Sequence, residues 1–212
     1  MYDVVSMRKR IDEAVQPVRE QVQEEFRNAF RTLYPDDTIP DGFPAGSPSI
    51  EVISVTRWAD LERIVDSPGL YIILTDYPIH ENPCRLGSND LRAVYRGESY
   101  TVGRRVRSHL ANDAYRARHK ALLKKAEEDG TRFSESLWPN CMKLSVGGPS
   151  GINVDQEPYS KYGWMVVVHR MSSSSQAVRK CAEAAFDAVF GRPVASRERA
   201  RKTRASEAPE TE

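Results

Sequence analysis

The sequence has no long apolar run, no patterned cysteines and almost no net charge, and each absence removes a class of protein. No stretch approaches the roughly 20 apolar residues of a membrane-spanning helix, and no signal-peptide apolar core follows Met1. The cysteines Cys84, Cys141 and Cys181 are odd in number and far apart, which suits neither a disulfide framework nor zinc spacing. Reduced thiols in a soluble, cytoplasmic protein are therefore expected. A formal net charge of +1 gives no global case for a polyanionic partner. The glycine-rich turn Gly147-Gly148-Pro149-Ser150-Gly151 lacks the G-K-[ST] ending of a phosphate loop. Asp76, His80 and Cys84 have helical spacing, but Pro78 and Pro83 argue against a helix there, and His80 reads as a surface residue.

What remains is a chain of 212 residues, 40% hydrophobic and 29% charged, enough for one good-sized domain with extensions. Met7, Ile11, Val15, Val18, Val22, Phe26, Phe30 and Leu33 recur every three or four residues, predicting helix over residues 1–34. Pro17 predicts a kink or a second helix start. The stripe can pack on its own domain or pair with a second copy as a homodimer arm. Pro35 to Pro48 reads as a linker, and Ser49–Val55 as an added edge strand. Thr56 is the expected cap of a helix from Arg57 to Asp66.

Three strands are expected at Gly69–Leu74, Ala93–Arg96 and Trp164–Val168, with helices at Val102–Asn112 and Gln176–Phe190. Further helix is expected over Tyr115 to Glu128, closed by Asp129-Gly130, and a strand at Met142–Val146. A serine among Ser172 to Ser175 should cap the last helix, and Gly191 should stop it. The fold expectation is α/β (α+β): a small three-stranded mixed or antiparallel sheet flanked by helices. The N-terminal extension and linker span 1–50, the domain 51–195 with an insertion at about 111–162, and a disordered tail 196–212.

The segment YRGESYTVGRRVRSHL, Tyr95 to Leu110, holds the chemistry. Val102, Arg105, Val106 and His109 share one helix face at i, i+3, i+4 and i+7, so Arg105 lies on the side that must dock. Read alone, this is a basic helix whose arginine snorkels past the apolar seam. Around it Arg96, Arg104, Arg107, Arg116, Arg118, Lys120, Lys124 and Lys125 form a basic stripe, opposed by Glu98 and Asp113. Such a stripe is the footprint of a phosphate-backbone contact.

The ordered set Gly69-Leu70-Tyr71, Tyr95-Arg96-Gly97, Arg105 and His109 resembles the GIY-YIG nuclease family over about Ser67 to Pro193. The resemblance implies a metal-dependent endonuclease acting on DNA, with Tyr71, Tyr95, Arg105, His109 and Glu183 as catalytic residues. Glu183, ten residues before Pro193, would hold one Mg²⁺ or Mn²⁺. Phosphodiester hydrolysis needs a relay for the proton of water, a cation on the phosphate and help for the leaving oxygen, and these side chains supply each type. Arg105 and Glu183 are expected to converge on one position.

Read by itself, Glu183 belongs to a row Arg179, Glu183, Asp187 of surface ion pairs. Two departures stand out. Arg96 replaces an apolar residue in a central strand, and Val194-Ala195-Ser196 stands where the family often has an asparagine, which removes an expected stabilising contact. The alternatives are a non-catalytic nucleic-acid-binding module on the same scaffold, which Arg96 favours, and a nuclease acting on RNA.

Overall fold

The computed structural model describes residues 4–43, 49–79, 81–111, 117, 121, 124–130 and 152–196. Its organising strand is β2, Gly69–Thr75, whose seven residues are all buried. A strand with no polar face must be central, because both of its faces need cover. Its neighbours are β4 (Leu91–Ser99) on one side and β5 (Trp164–Arg170) on the other, both antiparallel. The two-residue β3 (Gly87–Ser88) pairs with β4, and β1 (Ile50–Val55) pairs with β5.

The sheet order is therefore β1-β5-β2-β4-β3. The expectation of a three-stranded sheet is corrected to five strands with every pairing antiparallel. The expected β1 edge is present; β3 is too short to carry a periodic signal in the sequence. The α+β class stands.

Alternation along β2 divides the core. Tyr71 and Ile73 face one side with Val166, Val168 and Trp164, covered by α2 (Trp58–Glu62) and α3 (Val102–Leu110) through Leu61, Ile64, Val102, Val106 and Leu110. Leu70, Ile72 and Leu74 face the other side with Val167. That side is covered by α1 (Val4–Leu33) and α4 (Gln176–Phe190) through Phe30, Ala182, Ala185, Phe186 and Phe190.

Helix α1 runs unbroken through Pro17, against the expected break. Proline removes one intrahelical hydrogen bond, and the turns on either side retain theirs. The C-terminal half of the stripe is covered by the domain, whereas Met7, Ile11, Val15 and Val18 remain 39–58% exposed. Helix α2 is shorter than expected because Thr56 does not cap it. Its N–H and hydroxyl donate instead to the Asp60 carboxylate, at 2.9 and 2.8 Å, and these bonds lower the Asp60 pKa.

Helix α3 ends at Leu110, two residues short of its expected limit. Ser175 caps α4, accepting from the Val178 N–H at 3.3 Å, and Gly191 follows at φ 85°. Residues 124–128 are helical and a turn at Asp129-Gly130 closes them. Ser196 does not belong to a loose tail: its hydroxyl accepts from the Arg96 N–H at 2.8 Å and donates to the Arg96 carbonyl at 3.2 Å. A stabilising contact thus exists where the sequence pattern implied none. His80, the start of the Tyr115 helix, the Met142–Val146 strand and residues 197–212 lie outside the described residues.

Candidate active site

The register of β2 on β4 sets Tyr71 opposite Gly97. A β-carbon at position 97 would lie 2.6 Å from the Tyr71 hydroxyl oxygen, 2.8 Å from its Cζ and 2.9 Å from Tyr95 Cε1. Glycine is therefore required for the phenol to lie across the neighbouring strand. Helix α3 then delivers His109 to the same point, and Tyr71 Oη is 2.9 Å from His109 Nε2. The half-buried Tyr95 ring stacks on Tyr71 with centroids 5.9 Å apart and lies 4.5 Å from the His109 ring centroid. Two strands and one helix thus bring three of the expected side chains into one cluster.

Helix α3 is held there from its N-terminus. The Asp66 carboxylate accepts from the Arg104 N–H at 2.6 Å and from Arg107 Nη2 at 3.3 Å, and the Val102 N–H donates to the Ser67 carbonyl. A carboxylate at a helix N-terminus satisfies a free N–H group and complements the helix dipole. Arg105, half-buried one turn before His109, joins the cluster through the phenol. Burial pushes the Tyr71 pKa well up, the Tyr95 hydroxyl adds to this, and the Arg105 guanidinium pulls it back. The phenol stays protonated at neutral pH, which makes it a hydrogen-bond donor and disfavours a phenolate base.

Glu183 is elsewhere. Arg96 alternates with Tyr95 and Gly97 along β4, so its side chain lies on the opposite face of the sheet, under α4. There its Nη1 donates to Glu183 Oε1 at 2.9 Å, and its Nε and Nη2 donate to the two oxygens of Asp187. Lys180 Nζ donates to the other Glu183 oxygen at 2.7 Å. Arg179 Nε donates to Glu98 at 3.0 Å, and Lys180 also lies 3.6 Å from Glu98. Three cations and three carboxylates thus balance one another.

The expected convergence of Arg105 and Glu183 is corrected, because strand alternation sends Tyr95 and Arg96 to different faces. Both carboxylate oxygens of Glu183 already accept from cations, so it does not fit a metal shared with the tyrosine cluster. Among the described residues no group of three or more His, Cys, Asp or Glu is arranged to hold a metal.

The basic stripe is divided in the same way. Arg96, 7% exposed at its side chain, is an internal ion-pair partner and not a phosphate contact. Arg107 ties α3 to α2 through Asp66 and the carbonyls of Leu61 and Ile64. Arg104, Lys124 and Lys125 are exposed. Arg116, Arg118 and Lys120 lie outside the described residues.

Two features escaped the sequence. One is the pairing of Glu98 with α4. The other is a second tyrosine–histidine pair, Tyr34 Oη to His169 Nε2 at 2.6 Å, where burial pushes the His169 pKa down to about 4. Compared with known proteins, the chain matches no family model, no curated protein and no solved structure.

Proposed function

We propose that this chain is an endonuclease that engages a nucleic-acid phosphodiester, DNA in the first instance, at the Tyr71–Tyr95–Arg105–His109 cluster. The observation that carries the reading is the 2.9 Å contact between the Tyr71 hydroxyl and His109 Nε2, with Tyr95 against both rings and Arg105 acting on the same phenol. Arg105 supplies a cation that a phosphate oxygen can pair with as charge builds. His109 and Tyr71 supply a proton path, in which the protonated phenol orients and the imidazole accepts. These are the parts that the resemblance to GIY-YIG nucleases assigns to the reaction. The Mg²⁺ or Mn²⁺ of that resemblance finds no holder in Glu183, so no step is assigned to a metal.

The second reading is a nucleic-acid-binding module without cleavage. Saturation of Glu183 by Arg96 and Lys180 favours it. Plasmid and RNA substrates incubated with Mg²⁺, with Mn²⁺ and with EDTA distinguish the readings. On the endonuclease reading wild type nicks or cuts, and Arg105→Ala loses about 10²- to 10³-fold in rate, the scale of one lost electrostatic donor. Glu183→Gln, at a temperature where it stays folded, keeps most of the activity. Wild-type binding without cleavage under all three conditions would establish the binding module instead.

The same reading takes the exposed part of α1 as the contact with a second, antiparallel copy of this chain. Met7 with Val22 and Ile11 with Val18 share one midpoint, so the stripe is self-complementary about a two-fold axis. Asp12 and Arg19, 4.0 Å apart on one flank, can exchange partners between copies. Two copies would place one site against each strand of a duplex.

A further inference from the structure

The turn between β4 and α3 carries one large aromatic side chain that neither the core nor the tyrosine cluster uses. Tyr100 is 60% exposed, the highest figure among the exposed large apolar and aromatic residues of the described chain. Its ring is nevertheless seated. The guanidinium carbon of Arg179 lies 3.9 Å from the ring centroid, stacked against one face.

Arg179 is itself fixed, fully buried on α4, with Nε donating to Glu98 at 3.0 Å and Nη1 donating to the Ser174 carbonyl at 2.7 Å. Glu98 takes a further bond from Gln176 at 3.1 Å. The support beneath the ring is therefore a buried ion pair anchored at two elements. An aromatic ring has two faces. With one on the guanidinium and most of the residue in water, the other face is open.

The position is also informative. Tyr100 follows the last residue of β4 and precedes Thr101, the cap of α3. The Arg105 N–H donates to the Thr101 carbonyl at 3.0 Å, so the ring stands at the foot of the turn that presents Arg105, with exposed Arg104 beside it. A flat open π-face held rigid next to cations is the combination by which proteins hold an unpaired base while its backbone is paired electrostatically.

We propose that Tyr100 is a stacking platform for an unpaired nucleobase of the nucleic acid engaged at the Arg105 cluster. The inference rests on the nucleic-acid reading above. Arg179 serves as its positioning residue: the cation–π contact holds the ring in one orientation before the base arrives, so little rotamer freedom is lost on binding.

The test uses the full chain and a fluorescein-labelled single-stranded oligonucleotide, read by anisotropy in EDTA so that cleavage does not intervene. Tyr100→Ala should weaken binding by about 5- to 100-fold, the range for one lost base–aromatic stack. Tyr100→Phe should stay within about twofold, because the ring and not the hydroxyl makes the contact. An oligonucleotide carrying 5-iodouracil should photo-crosslink to Tyr100 in the wild-type chain, a readout that holds even if the alanine variant folds poorly.

Wild-type affinity in folded Tyr100→Ala overturns the proposal, and so does a Phe variant as weak as the Ala one. Crosslinking only at other residues overturns it too. Failure of wild type to bind any oligonucleotide or duplex would instead overturn the nucleic-acid reading on which it rests.

Discussion

Replacing Arg96 by methionine tests how the two faces of the sheet are used. The guanidinium is 7% exposed, and it makes three charge-assisted bonds, one to Glu183 and two to Asp187, whose side chains are 8% and 22% exposed. Removing it leaves two carboxylates without their main partner. Breaking a buried pair from one side costs about 3–5 kcal/mol. Here Lys180 still holds Glu183, and Asp187 keeps some contact with water, which places the expected loss near the lower end, at about 3 kcal/mol.

With a typical urea slope of about 2 kcal/mol per molar, the unfolding midpoint should fall by about 1.5 M at unchanged slope. The assay is equilibrium urea unfolding followed by circular dichroism. The triple variant Arg96→Met, Glu183→Gln, Asp187→Asn should recover much of the loss, because it removes the stranded charges together. A surface row of ion pairs predicts under about 1 kcal/mol. An Arg96→Met midpoint within about 0.5 kcal/mol of wild type would refute the buried network, and with it the reason for separating Glu183 from the tyrosine cluster.

Three further outcomes follow from particular contacts. Gly97→Ala should displace the Tyr71 phenol, because the new β-carbon would meet it at 2.6 Å; a stability loss of about 1–3 kcal/mol by thermal unfolding, with loss of cleavage, is expected. His169 is held at about pKa 4 when folded, against about 6.5 when unfolded, so the unfolded chain binds more protons between these values. Its contribution to stability is therefore present above pH 6.5 and lost as pH falls toward 4. The slope approaches one proton, about 1.4 kcal/mol per pH unit, and His169→Gln should remove it; identical slopes for the two proteins would show that His169 does not titrate there. Sedimentation equilibrium should find wild type dimeric, and the Ile11→Glu, Val18→Glu double variant monomeric with unchanged helix content; a monomeric wild type at micromolar concentration removes α1 as a dimer contact.

Local pattern was sufficient for what depends on neighbours in the chain. The central strand at Gly69 is legible because a run of apolar residues after Pro68 leaves no polar face. The α4 limits Gln176 and Phe190 are legible because a serine cap and a stopping glycine act within a turn of the helix ends. The α3 face is legible too, since Val102, Val106 and His109 are buried together by 3.6-residue periodicity alone. That face and the two tyrosine-bearing strands are enough to group Tyr71, Tyr95 and His109 from the sequence.

The sheet face of Glu183 could not be read in this way. Spacing from Pro193 places it on the helix, but which carboxylate meets which cation depends on the side of the sheet that α4 covers and on the alternation of Arg96 with Tyr95. Residues about 90 positions apart settle that together, through the antiparallel register of β2 on β4 and the packing of Phe186 and Phe190 against Leu70 and Ile72. The length of β4, the two-residue β3 and the seat of Tyr100 on Arg179 are decided in the same way. The sequence determined which segments are strands and helices and which side chains each presents. Only the tertiary structure decided which of those side chains meet, because a contact across a sheet is set by long-range register and facing, which no local period encodes.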